Sequence, residues 1–305
     1  MLKKIAILSL TTACAFAFNY DLEPKKVSED VWCFFGKLEP PTKENAGFMS
    51  NSCYIKTTDS YVLIDTGASY GFAKQAYEAI EKIEKLPVKT IITTHVHDDH
   101  WLGNNFYKEK FNSKIYAPAL LNKEYNENSE IRGLGVLSDE EKKGTKFIPA
   151  DEIISEETTL KIGNKEIIIT PTKVKAHTAD DLFVYLPKDK VLFSGDIVMN
   201  GRVTSNRDGS VLGTLKALDM ISSKDWEILV AGHGTDTSKT ATDETTKYFT
   251  LLKQRVMEAI ENDIGADEIT QIVTMEEFKD KGLYDELNSK NVFDAFRELE
   301  FYDGE

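Results

Sequence analysis

The 305-residue chain is 41% hydrophobic and 29% charged, the balance of a soluble globular protein with room for one large domain or two ordinary ones. A formal net charge of -14, with no basic stripe and no interleaving of basic and aromatic residues, argues against a nucleic-acid partner and against anionic membrane surfaces. No internal repeat, linker or low-complexity block divides the sequence.

Residues 1–17 read as a secretory signal peptide. Lys3 and Lys4 give the positive start, residues 5–14 the apolar stretch, and Ala15-Phe16-Ala17 the cleavage signal. Cleavage there removes both lysines, leaves a still more acidic chain and points to a bacterial periplasm. Cys14 offers a lipoprotein alternative, against which Thr11 stands where Leu or Val is usual. No other run reaches the ~18 apolar residues of a membrane-spanning helix. Cys33 and Cys53 survive cleavage. They either pair as a disulfide, which an oxidising compartment permits, or lie as buried thiols in neighbouring strands.

Residues 31–35, 52–56 and 61–65 have the aromatic and β-branched content of strands, with Thr58-Asp59-Ser60 as a hairpin turn and 39–47 as a loop. Helical spacing places Phe72, Ala76, Ala79, Ile80 and Ile83 on one face of a helix over 72–86. A strand at 88–94 delivers Thr94-His95-Val96-His97-Asp98-Asp99-His100. Helix then runs to about Phe111, followed by a strand at 114–117 and a short helix. Residues 124–157 are polar and rich in Lys and Glu, and read as a solvated insertion rather than a mobile lid. Strands are expected at 159–162, 165–170, 173–175, 182–186 and 191–193, then a helix at 210–221 and a strand at 226–231. A long amphipathic helix at 238–262 precedes an acidic helical tail with Phe293, Phe296 and Leu299 as its docking face. Strands alternating with helices imply an α/β fold, with one domain over 18–262 and a C-terminal helical extension, 263–305, packed on it.

All five histidines fall in three short segments: the cluster ending at His100, Ala176-His177-Thr178 and Gly232-His233-Gly234. Imidazole and carboxylate at this density suit borderline metals such as zinc. In an extended segment residues i and i+2 point the same way, so His95 and His97 can face one ion. Asp99 and His100 follow at a turn that could aim them at a second. Two ions about 3.5–4 Å apart would clamp the attacking and leaving oxygens of a displacement.

With Leu63-Ile64-Asp65-Thr66-Gly67, Leu192-Phe193-Ser194-Gly195-Asp196 and Ala231-Gly232-His233-Gly234 in order around the cluster, the chain resembles the metallo-β-lactamase superfamily of hydrolases. The resemblance covers about residues 27–233. It implies a four-layer αββα sandwich with the metals at one edge between two sheets. It further implies His95, His97 and His177 on a first ion, Asp99, His100 and His233 on a second, and Asp196 bridging both. Asp99 would orient the attacking hydroxide, and Asp65 would stand behind the ligands and steady a histidine. Many zinc β-lactamases carry a cysteine where Asp196 stands and a lysine where Met199 stands. The aspartate is closer to the glyoxalase-II-like and lactonase-like branches, and Arg202 is near enough in sequence to take the lysine's place. The tail and signal peptide look like periplasmic metallohydrolases found near quinoprotein and sulfur-oxidation systems.

The activity so implied is a hydrolase with two divalent ions, zinc foremost and iron or manganese compatible. A metal-activated hydroxide would attack the carbonyl of an ester, thioester, lactone or β-lactam in a small-molecule substrate. The centre would keep positive charge to stabilise an oxyanion. An iron oxidoreductase of persulfide-dioxygenase type is the alternative on the same fold; a non-catalytic binding protein is a third reading. Substrate contacts are expected from residues 37–50, 124–157 and 200–210. The sequence carries no signal for oligomeric state.

Overall fold

A computed structural model describes residues 18–302, so the signal-peptide reading of 1–17 and the alternative at Cys14 lie outside the described residues. The first sheet takes its strands in chain order: β1 (Lys25–Ser28), β2 (Val31–Phe34), β3 (Ser52–Lys56), β4 (Tyr61–Ile64), β5 (Val88–Ile92), β6 (Lys114–Ala117) and β7 (Glu152–Ile153). Pairing is antiparallel from β1 to β4 and parallel from β4 to β7. The parallel crossovers carry α1 (Tyr70–Ile80), α2 (Asn104–Phe111) and α3 (Ala119–Glu124). The second sheet comprises β8 (Thr158–Ile162), β9 (Lys165–Pro171), β10 (Leu182–Leu186), β11 (Val191–Met199) and β12 (Ile228–His233), with only β11–β12 parallel. Helices α4 (Val211–Ser222), α5 (Asp243–Glu261), α6 (Ile269–Ile272) and α7 (Tyr284–Leu299) complete the chain.

Strand periodicity builds the four layers. In β4, Val62 and Ile64 enter the cluster between the sheets with Ile167, Leu182 and Phe193, while Tyr61 and Leu63 face the cluster under α1 with Phe72 and Ile80. A strand buried on both faces needs an unbroken apolar run, which is why this segment shows no polar alternation. On the other side, α4 covers the second sheet through Ala217, Leu218 and Ile221. The αββα sandwich is the fold. Cys33 and Cys53 are register partners on β2 and β3 and form a disulfide.

Several expectations are corrected. Helix α1 stops at Ile80, six residues before the expected end, and Ile83 is 45% exposed. Pro87 favours extended backbone at Leu86 and so leads the chain into β5. Residues 173–175 form no strand: β9 ends at Pro171 and Lys173 is left-handed at φ 53°. The 124–157 insertion is anchored rather than merely solvated, since Tyr125 and Phe147 flank the buried Trp101 ring and Tyr70 N donates to Thr145 Oγ1. In α7, Phe296 and Leu299 are buried with Val292 and Ala295, but Phe293 is exposed.

Candidate metal centre

Parallel strands deliver the site. The carboxyl ends of β4 and β5 bring Asp65 and the His95–His100 segment to one edge of the first sheet. Asp196, within β11, and His233, at the end of β12, come beside them, and the loop between β9 and β10 adds His177. A short 3-10 turn, Asp98–His100, bends Asp99 and His100 away from the extended run. At Gly232 the chain passes so close to Asp196 that a Cβ there would lie 1.9 Å from Asp196 Oδ1.

All seven residues converge. Single donor atoms of His95, His97, His177 and Asp196 lie within 4.8 Å of one another, and so do those of Asp99, His100 and His233. Asp196 is central. Its Oδ1 is 3.2 Å from His100 Nε2, and its Oδ2 is 3.3 Å from Nε2 of both His177 and His233 and 3.6 Å from His95 Nε2. Asp99 Oδ2 lies 3.4 Å from His233 Nε2 and 3.7 Å from His100 Nε2.

The outer nitrogens fix which ring atoms face inward. His100 Nδ1 donates to Asp65 Oδ2 at 2.8 Å. The same oxygen accepts from Thr94 Oγ1, leaving that hydroxyl oxygen to accept from His95 Nδ1 at 3.0 Å. His233 Nδ1 donates to Met49 O at 2.9 Å, and His97 Nε2 donates to Asp208 Oδ2 at 3.0 Å. Each of these rings therefore turns a bare lone pair inward, from Nε2 of His95, His100 and His233 and from Nδ1 of His97. His97 Nδ1 accepts from His177 Nε2 at 2.9 Å, and the buried outer Nδ1 of His177 has no partner. The buried His95 Nε2, His100 Nε2, Asp99 Oδ2 and Asp196 Oδ1 have no hydrogen-bond partner. A buried nest with this many unpaired acceptors is stable only around positive charge, so the residues fit a divalent cation.

The electrostatics agree. Burial presses the His100 imidazole down, but Asp196, Asp99 and Asp65 outweigh it and hold its pKa well above the ordinary value. Burial and then the His100 charge push His95 well below its own. Burial alone would raise Asp196; His233, His100 and His95 hold it well below the carboxylate range instead.

The family model of the metallo-beta-lactamase superfamily matches residues 45–233. The chain belongs to this superfamily. Metallo-beta-lactamase IND-1 of Chryseobacterium indologenes is 27% identical over 179 residues, spanning 55% of this chain and 67% of that protein. Metallo-beta-lactamase type 2 of Elizabethkingia meningoseptica is 25% identical over 217 residues, or 68% and 78% of the two chains. A metallo-beta-lactamase structure from Pontibacter korlensis superposes with a TM-score of 0.61 at 24% identity, covering 75% of this chain and 99% of that one, and so shares the fold. Membership in this superfamily makes the protein a hydrolase with His and Asp groups suited to metal.

Apart from Asp65, the sequence reading missed the supports. Asp208 lies 111 residues from its partner His97, in a polar turn where Arg207 already pairs with it. Thr94 is inside the motif but no spacing rule marks its hydroxyl. Met49 acts through its backbone carbonyl, which leaves no trace in residue identity.

Proposed function

We propose that the protein is a dinuclear metal hydrolase that opens an ester, thioester, lactone or β-lactam carbonyl. His95, His97 and His177 would hold one ion, Asp99, His100 and His233 the other, with Asp196 between them. The observation that carries this reading is the set of bare inward acceptors, since four outer ring nitrogens are tied to acceptors of their own. Two divalent ions there, zinc foremost and iron or manganese compatible with the same donors, would supply Lewis acidity and a water acidified to near neutrality. Asp99, whose Oδ2 has no hydrogen-bond partner, would orient the hydroxide that such ions supply. Asp65 and Asp208 would hold ligand rings in one orientation.

Arg202 adds a preference among substrates. Met49 O can only accept, so His233 Nδ1 must donate to it and cannot also take the Arg202 Nη1 hydrogen at 3.3 Å. Arg202 is buried, its Nε has no partner, and it lines the same cavity as His233 and Asp196. A substrate carboxylate would satisfy it. The disulfide supports an oxidising compartment, and with it the secreted, periplasmic reading. Residues 18–262 would be the hydrolase domain and 263–305 its extension. No helix among the described residues is long and apolar enough to cross a membrane.

The test is a panel of a chromogenic cephalosporin, a thioester and an aryl ester, assayed before and after chelation. Hydrolysis of at least one, lost to chelator and restored by zinc, is expected. Arg202→Met should raise KM for carboxylate-bearing substrates more than for neutral analogues. Full metal loading with no turnover on any of the three would overturn the reading.

A further inference from the structure

The superfamily match ends at His233, yet the cavity over the metal centre is not closed by matched residues alone. It holds about 330 Å³, small for a ligand site, and part of its wall is Leu283, Glu286 and Leu287, at the start of α7. Pro40, Pro41, Met49 and Met199 join the two leucines as the apolar part of a lining that otherwise includes metal ligands and Arg202.

This segment is held deliberately against the site. Gly282 bridges Arg202, with Gly282 N donating to Gly201 O at 3.0 Å and Val203 N donating to Gly282 O at 2.8 Å. Farther along α7, Asn291 Nδ2 donates to Thr204 O and Asn291 Oδ1 accepts from Asn206 N. Glu298 accepts from Ser210 Oγ and Val211 N at the start of α4. The whole 201–211 loop is thus strapped to the extension. Leu283 itself sits in left-handed backbone at φ 62°, a conformation disfavoured for a bulky side chain. Glycine or asparagine would relieve it, so a leucine in this strained backbone, lining the cavity, points to a use for its side chain.

Resting on the hydrolase reading, we infer that residues 282–287 are the specificity wall of this active site, and that they select substrates carrying an apolar group of several carbons beside the reacting bond. Leu283 and Leu287 act by contact with that group. The strap sets their distance from the metals.

Butane-, hexane- and octanesulfonate, which cannot be hydrolysed, test the wall by calorimetric titration of the purified protein. In the wild type each added methylene that is buried tightens binding, up to roughly fourfold per methylene. Leu283→Asn keeps the size and suits the left-handed backbone; Leu283→Gly removes the side chain and the strain together. Both should flatten the dependence on chain length, losing far more affinity for octane- than for butanesulfonate at unchanged metal content. Leu287→Gln should do the same. Equal dependence on chain length in wild type and all three variants, or none in the wild type, overturns the inference. Because the probes are not substrates, this result stands apart from the hydrolysis panel, whose failure would strike the function instead.

Discussion

Asp65→Asn tests whether the supporting carboxylate sets the chemistry of the cage. Asparagine matches aspartate in size and tolerates the left-handed φ of 53° at this position. In the wild type Asp65 Oδ1 accepts from Thr94 N, and Oδ2 accepts from both Thr94 Oγ1 and His100 Nδ1, each at 2.8 Å. The amide oxygen can keep the first bond. The amide NH2 must then face two donors, and the least costly escape is for His100 to move its proton to Nε2. That proton would point at Asp196 and Asp99, where the lone pair belongs. Loss of such supports weakens metal binding about 10–100-fold, or roughly 1.4–2.7 kcal/mol. Competition with a chromophoric chelator measures the change, and far-UV circular dichroism checks the fold. Wild-type affinity in a folded Asp65→Asn protein would refute the argument that outer hydrogen bonds select the inner lone pairs.

Gly232→Ala should displace Asp196 and weaken metal binding in the same assay, whereas Gly135→Ala, whose Cβ meets nothing within 4 Å, should not. Reducing the Cys33–Cys53 bridge, which closes a 20-residue separation, should lower stability by about 3 kcal/mol in urea melts; no shift in midpoint would remove its structural role. Burial raises the Asp181 carboxyl to about 6, against the His177 charge and the donors at Thr178. The folded state therefore holds a proton that the unfolded chain has already lost. Stability relative to Asp181→Asn should fall as pH rises from about 4 through 6 and then level off; a flat difference across that range would contradict it.

The metal cluster was legible in the sequence because histidine is scarce here and all of it is spent in one place. The buried strands were legible because a run such as Tyr61–Ile64 must be apolar on both faces. What escaped was set by tertiary contact. Val174 between two lysines reads as a short strand, but Pro171 and the left-handed Lys173 end the ladder first. Asp208 is an ordinary surface-type carboxylate until the fold carries it to His97. Leu283 and Leu287 are indistinguishable in sequence from residues that merely pack a helix, and only the turn before α7 places them at the cavity.

The central claim is that His95, His97, Asp99, His100, His177, Asp196 and His233 form one cage for two cations. Elemental analysis of the purified protein beside Asp196→Ala tests it most directly. About two divalent ions per wild-type chain, and fewer in the variant, are predicted. A protein that purifies metal-free, takes up no metal on incubation and is indifferent to chelators would contradict it.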